Sequence, residues 1–345
     1  MSSYTRVIPE LRAAHVDRVH AWGGDETVLY KALKWDLGGE ERVPDNCRRL
    51  TLRSLREICR EARPVIELPE PLWVRELPST VAVTVALWAL SRGRARFVTY
   101  AIENNDLGAL LGRGFRGRVL RFVIGTFFGL VLHRIAYGSE SAATTYASLP
   151  SMAGVKSTVI LELPASSPAV SSAADRSGAL FVGRLEERKG VRELMDAWAE
   201  IEHASSGDLL IVGDGPLLPA VESWVAERPT SRAHVAHIEH TALDRTYRSR
   251  VVLVAPSKRD GRWREQIGLP VKEGLAQGLT IVATPETGLA PWLHEHGHQI
   301  VPLSGLVVGL RTAVDDPLVP EHVVDALPAM DGRERSDQWL KGEMQ

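Results

Sequence analysis

Glu265 and Glu273 stand eight positions apart in EQIGLPVKE (265–273), one before a Gly-Leu-Pro turn and one just after it. Arg184 and Lys189 share the stretch VGRLEERKG (182–190), and VGDGP (212–216) adds a pair of glycines. Ionised carboxylates accept hydrogen bonds from hydroxyls, whereas guanidinium and ammonium groups bind anions. Cations at the mouth of a helix N-terminus, where backbone N–H groups already favour negative charge, make a diphosphate clamp. Taken singly, each residue has a plainer reading. Glu273 complements a helix dipole, Arg184 belongs to a solvated basic turn, and the glycines of 212–216 permit a tight turn.

The elements around these residues decide whether they can meet. VVLVAPS (251–257) is a short β-branched run ending in Pro-Ser, the pattern of a buried parallel strand. Pro270 suits the start of a helix because its missing N–H would be unpaired there, and Gly278 suits the residue beyond its end. TIVAT (280–284) is the next strand. Glu265 therefore falls in the loop at a strand's carboxyl end and Glu273 in the first helical turn, the end at which open α/β sheets bind ligands. The same alternation runs through the rest of the second half. ALFVG (179–183), DLLIVG (208–213), AHVAHIE (233–239) and QIVPL (299–303) read as strands. VRELMDAWAEI (191–201), PLLPAVESWVAE (216–227) and TALDRTYRSR (241–250) read as helices, the first with Val191, Leu194, Met195, Trp198 and Ile201 on one face. Strands alternating with helices predict an α/β chain with a doubly wound parallel sheet.

The first half alternates more loosely. VDRVHAW (16–22), PVIELP (64–69), ARFVTYAI (95–102) and RIAYGS (134–139) are strand-like, and 79–92 and 116–132 are helical. The opening stretch TRVIPELRAA (5–14) reads as a helix, which leaves a first strand missing. LPASSPAVSSAADRSG (163–178) is rich in Pro, Ser and Ala and reads as a linker. It divides the chain into a first domain, 1–162, and a second, 163–331, with a tail helix over 332–345 whose Trp339 and Leu340 are available for docking.

A chain of 345 residues suits two domains. Its formal charge of −2 argues against a dedicated nucleic-acid binder, yet residues 1–162 carry net +5 and residues 163–345 net −7. Two cysteines, Cys47 and Cys59, make no disulfide framework and point to a reducing, cytoplasmic setting. No signal peptide opens the chain, and the longest apolar run, FVIGTFFGLVL (122–132), is too short to span a bilayer. The segment 113–134 joins Arg113, Arg116, Arg118 and Arg121 to that run. It reads first as a core helix with a basic start, and second as a peripheral membrane contact. HEHGH (294–298) has metal-like histidine spacing but no cysteine near it, and reads as a polar turn before a strand.

In order and spacing, the VGRL…KG turn, the VGDGP turn, Pro256-Ser257 and the paired Glu265 and Glu273 followed by GLAQG (274–278) resemble retaining glycosyltransferases of family 4. The resemblance covers about residues 179–290 and implies the GT-B fold, two Rossmann-like domains facing a cleft with the C-terminal helix returning to the first. It also implies that Arg184 and Lys189 hold the diphosphate of a nucleotide sugar of UDP, GDP or dTDP type, so that no metal cofactor is required. Glu265 would bond hydroxyls of the donor sugar and Glu273 the nucleotide ribose. Backbone around Gly183, Gly213, Gln266, Ile267, Gly268 and Leu269 would face the donor, Ser257 would shape the pocket, and the base would lie near His237–His240. Many relatives carry a histidine after a central strand of the first domain, facing the donor sugar. Here TYAIENNDL (99–107) has none, so Glu103 and Asn104 are expected to line the cleft and Asn105 to take the histidine's place. Gln266 stands where the family commonly has glycine, and RDGRWR (259–264) is unusually basic, with Trp263 free either to stack on a ligand or to shield the loop.

The function so implied is transfer of a sugar to an acceptor that is a glycan, a lipid-linked group or a small molecule. Two other readings stand beside it: a non-catalytic homologue that binds a nucleotide sugar or serves as a partner subunit, and a sugar-nucleotide epimerase using Glu103, Asp106 and His133. No strand is followed by the G-x-G-x-x-G fingerprint of a dinucleotide dehydrogenase.

Overall fold

The computed structural model describes residues 4–12, 15–16, 18–19, 26–34, 43–167, 176–203 and 207–344. The chain divides into two compact units, residues 1–160 with 334–345, and residues 161–333.

The first unit is built on a seven-stranded, all-parallel sheet in the order β3-β2-β1-β4-β5-β6-β7. The strands are β1 (Tyr4–Leu11), β2 (Thr27–Leu33), β3 (Cys47–Arg49), β4 (Val65–Leu68), β5 (Arg96–Ala101), β6 (Leu132–Tyr137) and β7 (Lys156–Val159). The helix expected over 5–14 is therefore the interior strand β1, and the first strand is present. Two features disguise it. Arg6 is charged yet buried, because Glu67, Glu26 and Asp337 surround its guanidinium at 3.0, 3.1 and 2.9 Å. Pro9 cannot donate to a ladder, and β1 pairs with β4 only at Tyr4–Arg6, before Pro9 is reached. Of the expected strand 16–22, Val16, Arg18 and Val19 are helical instead, and 17 and 20–22 lie outside the described residues. The tail helix Gly332–Lys341 packs its buried Trp339 and Leu340 with Tyr4, Val65, Val98, Ala136 and Ile160.

The second unit is a six-stranded, all-parallel sheet in the order β10-β9-β8-β11-β12-β13. Its strands are β8 (Ala179–Val182), β9 (Leu209–Val212), β10 (Arg232–Val235), β11 (Val252–Ala255), β12 (Thr280–Ala283) and β13 (Gln299–Ile300). Helix Val191–Ile201 buries the face read from its spacing, Val191, Leu194, Met195, Trp198 and Ile201, each side chain contributing about 1.5–3 kcal/mol. His298 is not part of a solvated polar turn: it is buried and its Nδ1 accepts the backbone N–H of Ile281 at 3.0 Å. Burial, and His296 after it, push its pKa down to about 4. His296 stacks on Trp292, so that two of the three histidines of 294–298 are spent on packing.

In both sheets the strand order reverses direction at a switch point, between β1 and β4 in the first and between β8 and β11 in the second. Connections there leave to opposite faces of the sheet and open a crevice at the carboxyl ends of the two strands.

Candidate functional site

The loops that follow β8 and β11 flank the switch point of the second unit, and they carry the residues read from the sequence. Lys189 Nζ donates to Glu265 Oε2 at 2.5 Å, and Ser257 Oγ donates to the same oxygen at 2.9 Å. With Gly268, Thr284 and Thr287 they line a small pocket. Two close backbone approaches shape it. A Cβ on Gly213 would lie 1.9 Å from the carbonyl oxygen of Gly183, and one on Gly190, at φ +71°, would lie 2.0 Å from that of Pro256. The glycines thus let the turn after β8 press against the turns after β9 and β11, which brings Lys189 across to Glu265.

The loop bearing Glu265 is fastened from below. Thr284 Oγ1 donates to the carbonyl of Ser257 at 2.5 Å, Thr287 Oγ1 to that of Ile267 at 2.8 Å, and the N–H of Gly288 to that of Gln266 at 2.6 Å. Gly268, at φ +88°, caps helix Leu269–Ala276, with Pro270 in its first turn. Glu273 lies one turn further in than expected, and Tyr247 Oη donates to its Oε2 at 2.7 Å. Burial and then the nearby Glu273 carboxylate push the Tyr247 phenol well above its ordinary pKa, so it remains a donor. Leu269 is exposed and Ile267 buried.

Arg184 stands apart from Lys189. Its side chain is mostly exposed and its Nε pairs with Glu186, which also accepts from Arg188 Nε at 2.6 Å. Burial works against ionisation of Glu186, but hydrogen bonds from Arg188 and Arg184 outweigh it and hold the carboxyl below its usual range. Trp263 lies under two cations, 4.2 Å from the Arg188 guanidinium to the ring centroid and 5.0 Å from Lys189 Nζ. Its ring face attracts both charges, so it anchors the turn after β8. His237 is exposed beside Glu239, 3.5 Å away.

Glu103, Asn104 and Asn105 belong to the first unit, after β5. Asn104 and Asn105 are buried. The Asn105 N–H bonds Glu103 Oε1 at 3.0 Å, and its side-chain oxygen accepts the N–H of Asp106 at 3.0 Å. Beneath them lies Glu70, a residue the sequence reading passed over although it follows β4 directly, at the switch point of that sheet. Its Oε1 accepts from the N–H groups of Ile102 and Glu103, at 2.9 and 2.7 Å, and from Tyr146 Oη at 3.1 Å. Full burial, reinforced by the Glu103 charge and opposed by these hydrogen bonds, raises its pKa to about 8. Glu70 thereby pins the loop that carries Glu103, Asn104 and Asn105.

Two units, each an all-parallel doubly wound sheet, define the GT-B fold, and known structures share it. The protein HepE from Anabaena, solved in complex with UDP, superposes with a TM-score of 0.70 at 12% identity, over 99% of this chain and 100% of that one. A trehalose-6-phosphate protein from E. coli bound with UDP-2-fluoro glucose gives 0.65 at 12%, covering 99% of each. The lipopolysaccharide outer core galactosyltransferase WaaB gives 0.64 at 8%, over 99% and 100%. At these identities the likeness is one of fold. In sequence, the glycogen synthase of Mycobacterium tuberculosis is 28% identical over 156 residues, 41% of this chain and 35% of its own, so the match spans about a third of that relative. Residues 176–316 match the family described as Glycosyl transferases group 1. The second unit is a glycosyltransferase group 1 domain.

Proposed function

We propose that the protein is a retaining glycosyltransferase that takes a sugar from a nucleoside diphosphate donor bound in the second unit. The observation that carries this reading is the convergence of Lys189, Ser257 and Glu265 at the β8/β11 switch point, beside the N-terminus of helix Leu269–Ala276. Lys189 holds the diphosphate, with Arg184 turning to it from Glu186, while Glu265 orients the hydroxyls of the sugar and Glu273, aimed by Tyr247, takes the ribose. The acceptor hydroxyl bonds to the anomeric carbon on the face from which the nucleotide leaves. The bond from that carbon to the phosphate oxygen breaks, and the departing diphosphate takes the acceptor's proton. Protein groups then stabilise the charge on the leaving group and fix both reactants. UDP-glucose is the first donor to try, since HepE and the E. coli protein were solved with uridine nucleotides.

The presence of β1 removes one of the two grounds for a non-catalytic homologue, the other being the missing histidine of the first unit. The test is calorimetry with UDP-glucose, then GDP and dTDP sugars, on the intact chain and on Lys189→Met. One donor binds, and the substitution weakens it by roughly 10- to 150-fold, the loss of one charge-assisted contact. NMR of the transferred sugar, or of sugar freed by hydrolysis before it mutarotates, shows the donor's anomeric configuration. Binding with neither transfer nor donor hydrolysis would make the protein a binding homologue, and no binding at all would remove the donor site.

A further inference from the structure

Helix Phe115–Val131 is apolar both on the side it hides and on the side it shows. Its inner face holds Gly117, Ile124, Gly125 and Phe128. A Cβ on Gly125 or Gly129 would come within 2.5 Å of the Pro150 carbonyl oxygen or 2.7 Å of that of Ser151, so this face is packed backbone to backbone. The outer face carries Phe115, Val119, Phe122, Val123 and Leu130, respectively 73, 45, 61, 55 and 80% exposed. Their spacing of i, i+4, i+7, i+8 and i+15 keeps all five on one stripe. A soluble helix ordinarily turns polar residues that way.

The charges that the helix itself carries are all of one sign. Between Asp106 and Glu140 the chain has five arginines and no acidic residue. Arg113, Arg116 and Arg118 are exposed around the first turns, Arg116 and Arg118 on either flank of the stripe. A second copy of the chain fits this face poorly, because a two-fold interface would set the arginines of one copy against those of the other. An anionic lipid surface complements both features, and helices with an apolar face and a cationic border lie in that boundary. Among the described residues no helix is long and apolar enough to cross a membrane, so on a bilayer this one would lie in the plane.

We propose that the protein docks on anionic bilayers through this helix, with Phe115, Phe122 and Leu130 in the acyl boundary and Arg113, Arg116 and Arg118 among the headgroups. The inference is independent of the glycosyltransferase reading. It is tested by sedimenting the intact chain with vesicles of phosphatidylcholine alone or with added phosphatidylglycerol. The protein sediments with the anionic vesicles only, and added salt releases it. Arg116→Gln and Arg118→Gln each weaken binding about fivefold, and Phe122→Ser weakens it roughly tenfold. All three positions are exposed, so the far-UV circular dichroism of the variants matches the parent. Failure to sediment with either vesicle overturns the proposal, as does binding that survives Phe115→Ser/Phe122→Ser. A dimer abolished by Phe122→Ser, without vesicle binding, assigns the face to a second copy instead.

Discussion

Glu265→Gln separates the two parts that Glu265 plays beside Lys189. In the free protein its carboxylate neutralises the ammonium at 2.5 Å. A diphosphate drawn to Lys189 must share that cation with Glu265, and the two anions repel. Placed about 8 Å apart, two unit charges repel by about 0.5 kcal/mol in a water-like medium and about 2 kcal/mol at an effective dielectric of 20. Glutamine keeps the shape and removes the charge, so UDP alone should bind roughly two- to thirtyfold more tightly. The sugar nucleotide behaves oppositely. Its hydroxyls lose a charged acceptor, at about 1.5–3 kcal/mol for each such bond, and that loss offsets most of the relief or exceeds it. Calorimetry of UDP and UDP-glucose on parent and variant reads both numbers. The preference for UDP-glucose over UDP falls in Glu265→Gln, whereas Lys189→Met weakens both ligands together. If Glu265→Gln weakened UDP and UDP-glucose equally, the carboxylate would be a structural partner of Lys189, and its assignment to the sugar would be wrong.

Gly213→Ala should cost about 2–4 kcal/mol in urea denaturation, since the new methyl would lie 1.9 Å from the Gly183 oxygen at a φ of +148°. A loss below about 0.5 kcal/mol would mean that the turns after β8 and β9 are not tightly apposed. Glu70 makes stability fall with rising pH. The folded chain keeps its proton to about pH 8 while a free glutamate releases it near 4.5. The folded state thus binds more protons within that window, and each pH unit there removes up to about 1.4 kcal/mol. Glu70→Gln flattens the profile between those limits; an unchanged slope would show that Glu70 is ionised in the fold.

The second unit was legible because its strands are β-branched runs closed by glycine or proline, and its helix Val191–Ile201 shows an unbroken apolar stripe. Lys189, Ser257 and Glu265 could be placed in one site because all three follow strands at carboxyl ends, which topology brings together. Their direct contact was not foreseeable, since it depends on how far the glycines let three turns approach. The first unit was harder. Arg6 and Pro9 contradict an interior strand locally, and only Glu67, Glu26 and Asp337, distant in sequence, make the buried charge tolerable. Tyr247 and Glu70 escaped notice because each acts through a partner, Glu273 or the backbone of 102–103, that no local pattern announces.

The pairing of Arg6 with Asp337 has a consequence for how the protein is made. The two are 331 residues apart, and the whole of the second unit is synthesised between them. While the ribosome is still at work, β1 is out of the exit tunnel with its cation facing Glu67 and Glu26 only, and Tyr4 and Val98 have no Trp339 or Leu340 to cover them. The second unit has all its strands by residue 300 and can settle first. Order of translation and order of consolidation therefore run opposite ways in this chain: the unit that begins earlier is completed later.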